Sequence, residues 1–106
     1  MNVNDAMARL NNNKKLYIML LKKFDGKTML DELLAKVASG DVTAAEAAAH
    51  TLKGVAANLS LADLRAETEA IDNLLKKGDI NVDTADLEII MEETVKAVKI
   101  WLEENA

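Results

Sequence analysis

His50 is the only histidine in the chain, and it lies within Ala49–Ser60, AHTLKGVAANLS. An imidazole is largely uncharged near neutral pH and then offers a ring nitrogen lone pair for nucleophilic attack. Lys53 and Gly54 follow at three and four positions, the spacings that share one face of a helix. An ammonium there would repel a proton from the ring and attract an anion attached to it, such as a phosphoryl group. Metal binding is a poor alternative, because it needs several converging ligands and the chain has neither a second histidine nor a cysteine. A serine-hydrolase arrangement is equally weak, since its serine, aspartate and oxyanion geometry would all have to be invented.

A helical wheel places these residues. With His50 at zero, Ala48, Leu52, Val55 and Leu59 fall about 140–200° away, and these bulkier apolar residues mark the core face. His50 is therefore expected to point to water. Ala47, Lys53, Gly54 and Ala57 lie within about 60° of it. An idle solvent face usually carries long charged side chains, whereas this one is mostly small. Gly54 costs about 0.5–1 kcal/mol relative to alanine in a helix interior. Close approach of another molecule is the usual compensation.

The elements that hold this face are helices. Half of the residues are hydrophobic, proline is absent, and only four glycines occur. Turn signals at Ser39–Asp41, Lys77–Asp79 and Asn81–Asp86 separate segments whose apolar residues recur every three or four positions. Asp5–Leu10 suits one or two turns. Leu16, Tyr17, Leu20, Leu21, Phe24, Leu30, Leu33, Leu34 and Val37 form the next stripe, interrupted by DGKT at Asp25–Thr28. Both a break and a continuous kinked helix fit that interruption. Thr43 and Glu46 stand at capping-box spacing for the helix carrying His50, and Ser60 with Asp63 offer a cap for the next. That helix carries Leu61, Leu64, Ile71, Leu74 and Leu75, with Gly78 at its end. The last begins near Asp83 or Thr84, with Leu87, Ile90, Met91, Thr94, Val98, Trp101 and Leu102 on its stripe. The expected fold is all-α: an up-down-up-down antiparallel four-helix bundle with a short extra N-terminal helix, one domain over residues 1–106.

The formal net charge of −5 disfavours nucleic acid and anionic membrane surfaces as partners. No apolar run has the length of a bilayer span, no signal-peptide core opens the chain, and no disulfide can form without cysteine. A cytoplasmic monomer is expected. The opening Met and the lack of a flanking linker favour a free-standing protein over a piece of a hybrid kinase.

The stretch AHTLKGVAANLSLADL resembles the signature of histidine-containing phosphotransfer (HPt) domains, usually His-x-Leu-Lys-Gly followed by small residues. His50, Leu52, Lys53 and Gly54 match it position by position. ARLNNNKKLYIMLLKKF is similar to the family's opening, and LRAETEAIDNLLKKGD to the helix after the active one. The resemblance implies that His50 accepts a phosphoryl group from a receiver-domain aspartate and passes it to another receiver. Lys53 then corresponds to the phosphate-stabilising lysine, and Gly54 to the glycine that gives access to the ring. Ala47, Lys53, Gly54 and Ala57 would meet the partner. The expected partners are response-regulator receivers and a sensor or hybrid histidine kinase. No cofactor is implied, because the magnesium for transfer sits in the receiver. The chain also lacks the Gly-rich phosphate loop of an ATP-binding kinase. Relatives often have glycine where this chain has Ala57 and Ser60, and DGKT is about one residue short of the usual pattern. The alternative is an HPt-like module that docks and sequesters response regulators without carrying phosphate.

Overall fold

A computed structural model describes residues 1–106 as six helices and no strand. They are α1 (Val3–Arg9), α2 (Lys14–Lys23), α3 (Gly26–Ser39), α4 (Val42–Asn58), α5 (Ala62–Lys76) and α6 (Ala85–Asn105). α3 packs on α4, α4 on α5, α5 on α6, and α6 returns to α3, which closes a four-helix bundle. The connections from α3 to α4 and from α4 to α5 are too short for anything but antiparallel neighbours. α2 leans on α6, with α1 beside it. No helix is long and apolar enough to cross a membrane.

The interruption at DGKT is a true break. Phe24 leaves helical geometry, and the Asp25 carboxylate accepts hydrogen bonds from the Thr28 amide at 3.2 Å and the Thr28 hydroxyl at 2.8 Å. Asp25 is thus the N-cap of α3. Gly26 follows as a buried first residue of the helix, and an added Cβ would lie 2.6 Å from Met91 Sδ on α6. This glycine lets α3 and α6 approach.

Two expected caps differ. Gly40 turns left-handed at φ 78°, and the helix starts directly after Asp41, whose Oδ1 accepts from the Ala44 amide at 3.0 Å. Asp41 therefore caps α4 in place of Thr43. Ser60 caps nothing: α5 starts after Leu61 with no side-chain cap. Ser60 is instead buried at φ 56°, and its hydroxyl donates to Asp5 Oδ2 at 2.6 Å. A left-handed turn is where glycine is the usual choice. The hydrogen bond to α1 offsets part of what serine costs there, and it is also the main cause holding the Asp5 carboxyl below its ordinary value, ahead of Arg9. Gly78 has φ 86° just past the end of α5, as expected of a C′ glycine.

The core runs along the bundle axis through Tyr17, Leu21, Leu30, Leu33, Leu52, Leu59, Leu61, Leu64, Ile71, Leu75, Leu87, Met91 and Val98. Most of the expected stripes lie in it or against it. α5 is the exception: Leu74 is exposed, and Thr68 and Asp72 are fully buried. The Thr68 hydroxyl is satisfied by the Leu64 carbonyl at 2.6 Å. Asp72 has a different kind of partner.

Candidate functional site

α4 presents its core side through Ala45, Ala49, Leu52, Ala56 and Leu59. Ala48 and Val55 are only half-buried, so the packed stripe is rotated by part of a turn from the expected one. The rotation brings the small residues Ala45, Ala49 and Ala56 against the neighbouring helices, which lets α4 sit close to α3 and α5. His50 still faces out, with 63 % of its side chain exposed. Ala47 and Gly54 are exposed beside it, and Ala57 is half-buried. A Cβ built on Gly54 would meet nothing within 4 Å.

The far end of α4 is pinned. The buried Tyr17 hydroxyl donates to the Leu59 carbonyl at 2.8 Å, and the Tyr17 ring meets Trp101 edge-on at 5.3 Å between centroids. Burial of this phenol pushes its pKa up, so it stays protonated and can donate. Tyr17 and Trp101 lie on α2 and α6, so elements remote in sequence fix the helix that carries the histidine.

Lys53 is not free beside the ring. It turns toward α5, where its Nζ donates to Asp72 Oδ2 at 3.0 Å. Lys76 Nζ reaches the same oxygen at 3.2 Å, and His50 Nδ1 lies 3.9 Å from it. The last distance is too long for a hydrogen bond and acts through charge. Asp72 Oδ1 is buried with no hydrogen-bond partner. Burial alone would push the Asp72 carboxyl up, but hydrogen bonds from Lys53 and Lys76, aided by their charges, hold it below the ordinary value. The same bond raises the Lys53 ammonium, with the charges of Asp72 and Glu69 adding to it. Asp72 is thus an ionised, solvent-shielded carboxylate between two lysines and the edge of the imidazole.

Two members of this cluster, Asp72 and Lys76, escape sequence reading. The available signal was a carboxylate on the buried stripe of α5, in phase with Leu64, Thr68 and Leu75. No three His, Cys, Asp or Glu side chains are grouped so that they could hold a metal ion.

A family model for the Hpt domain matches residues 24–104, from the end of α2 almost to the end of α6. This chain belongs to the Hpt domain family. Hpt domains serve phosphorelays by histidine phosphotransfer, working with receiver domains and histidine kinases as phosphocarriers that lack kinase and ATP-binding elements of their own. Within the matched segment of this Hpt domain lies the one histidine, on the outward face of α4. α1 and α2 lie outside it. Searches of curated proteins and of solved structures return no match.

Proposed function

We propose that this Hpt domain accepts a phosphoryl group on His50 from a receiver-domain aspartyl phosphate and passes it to a second receiver. The observation that carries the reading is the exposed imidazole with its Nδ1 edge toward the Asp72 carboxylate. A carboxylate on that side favours the tautomer protonated at Nδ1, which leaves the Nε2 lone pair on the opposite side of the ring for attack. Nε2 forms the bond to phosphorus as the phosphorus–oxygen bond to the receiver aspartate breaks. The electron pair leaves with that carboxylate, and the ring proton stays on Nδ1. The reverse sequence reloads another receiver. Only positioning and charge are asked of the protein.

Lys53 would stabilise the phosphoryl group once it arrives. Ala47, Gly54 and Ala57 form the low surface on which the receiver rests, with Lys53 at its edge. The open space around Gly54 supports this, because no neighbour inside the molecule requires a glycine there. On this reading residues 1–106 act as one domain, a cytoplasmic monomer, with no cofactor; magnesium is held by the receiver.

The test is phosphotransfer from a phosphorylated receiver, followed by mapping of the modified residue. The expected product is an acid-labile, alkali-stable phosphoramidate on His50, absent in His50→Gln. Phosphate on another residue, or none on a folded wild-type chain, overturns the proposal.

A further inference from the structure

The Asp72 cluster is built asymmetrically. One carboxylate oxygen, Oδ2, holds Lys53 at 3.0 Å and Lys76 at 3.2 Å, while the other is buried without a partner. A carboxylate buried only to stabilise the fold would gain most by using both oxygens. Here both cations gather instead at the oxygen nearest the imidazole, which is 3.9 Å from His50 Nδ1. They come from different helices, Lys53 from α4 and Lys76 from α5, and each keeps a partly exposed side chain, 22 % for Lys53 and 45 % for Lys76. Two ammoniums on long flexible stems thus stand ready at the edge of the ring, neutralised in the resting protein by Asp72 and, at longer range, Glu69.

We propose that Asp72 is the counter-ion of both lysines until transfer, and that Lys76 is a second phosphate ligand beside Lys53. This rests on His50 being the phosphoacceptor. Transfer brings a dianionic group to Nε2 and leaves the ring cationic with its proton on Nδ1. The charges then re-pair: the lysines swing from Asp72 to the phosphoryl oxygens, and Asp72, freed of both, becomes the acceptor nearest the Nδ1–H. No proton has to enter or leave. Every ion in the cluster has a partner before and after, so loading the histidine strands no buried charge. The clamp also makes the phosphorylated state longer-lived than one lysine would.

The test compares the wild-type chain with Lys76→Gln and Lys76→Arg, each loaded on His50 with the small donor phosphoramidate, so that no receiver interface is involved. Lifetime of the phosphohistidine and its phosphorus NMR resonance are measured. Lys76→Gln should shorten the lifetime by about three- to tenfold, the range for one partly exposed charge-assisted contact, and shift the resonance. Lys76→Arg should restore most of both. An unchanged lifetime and resonance in Lys76→Gln would overturn the clamp and leave Lys76 as a neutraliser of Asp72 alone. An equal loss in Lys76→Arg would also overturn it, since the effect would not then follow the charge. A wild-type chain that takes no phosphoryl group on His50 overturns the phosphoacceptor reading itself, a result distinct from either.

Discussion

Gly26 and Gly54 are both helical glycines, and their surroundings are opposite. At Gly26 an added Cβ would press on Met91 Sδ at 2.6 Å and on the Phe24 ring at 2.7 Å. At Gly54 it would meet nothing within 4 Å. The first glycine is explained from inside, by α3 and α6 needing to touch. The second has no internal reason, sits in a helix interior where glycine is costly, and stands one turn from the only histidine. A small residue that packing does not require directs attention to what approaches from outside.

The largest effect expected belongs to the outward region. His50→Gln should abolish phosphoryl acceptance from receiver and small donor alike. Its melting temperature should stay near that of the wild type, because an exposed side chain contributes little packing. Gly54→Leu should come next: transfer from a receiver is blocked, while phosphoramidate still loads His50 and the bundle remains folded. Equal failure of both reactions would mean that Gly54 serves the imidazole itself, and the contrast with Gly26 would lose its meaning.

Stability separates the two glycines with opposite signs. Gly26→Val should cost about 1–3 kcal/mol in denaturant unfolding, the range for overfilling a packed contact. Gly54→Ala should instead stabilise by about 0.5–1 kcal/mol, since alanine is the better helix former and the site is open. A loss at Gly54 comparable to that at Gly26 would place a hidden internal contact there.

The smallest effect is in pH. The Asp72 carboxyl is held below its ordinary 3.8, so its contribution is present above that value and fades as the pH falls through the lowered one. The Lys53 ammonium is raised above its ordinary 10.5, so its share is present below that and fades as the pH climbs through the raised value. Melting curves of the wild type against Asp72→Asn should therefore differ most on the plateau between those limits and converge at both extremes. A difference that does not change with pH would remove the ion cluster as its source.

The outward face was legible in the sequence because it is local. Helix period alone relates His50, Lys53, Gly54 and Ala57, and the break signals at Gly40 and Gly78 are equally short-range. Asp72 was not legible, because it stands 22 positions from His50 and meets it only where α5 crosses α4. Its place on a stripe with Leu64, Thr68 and Leu75 says that it is buried, but not which cations bury it. Ser60 shows the same limit. Beside Asp63 it reads as a cap, yet its hydroxyl is taken by Asp5, 55 residues away, and its backbone is left-handed. Asp41 displaced Thr43 as a cap because the chain leaves its turn at Gly40, a point that side-chain spacing does not locate.

The order of packing around the bundle bears on how the chain assembles. α3, α4 and α5 each lie against the helix that follows in sequence, while α6 returns to α3 and α2 to join distant parts. Contacts between sequence neighbours cost little loop entropy, so such a chain reaches its native state quickly, and with no proline there is no slow isomerisation to wait for. The latch of Tyr17 on Leu59 spans 42 residues, so closing it costs more loop entropy than a contact between successive helices. The helix that carries His50 is therefore held by one long-range closure as well as by its sequence neighbours.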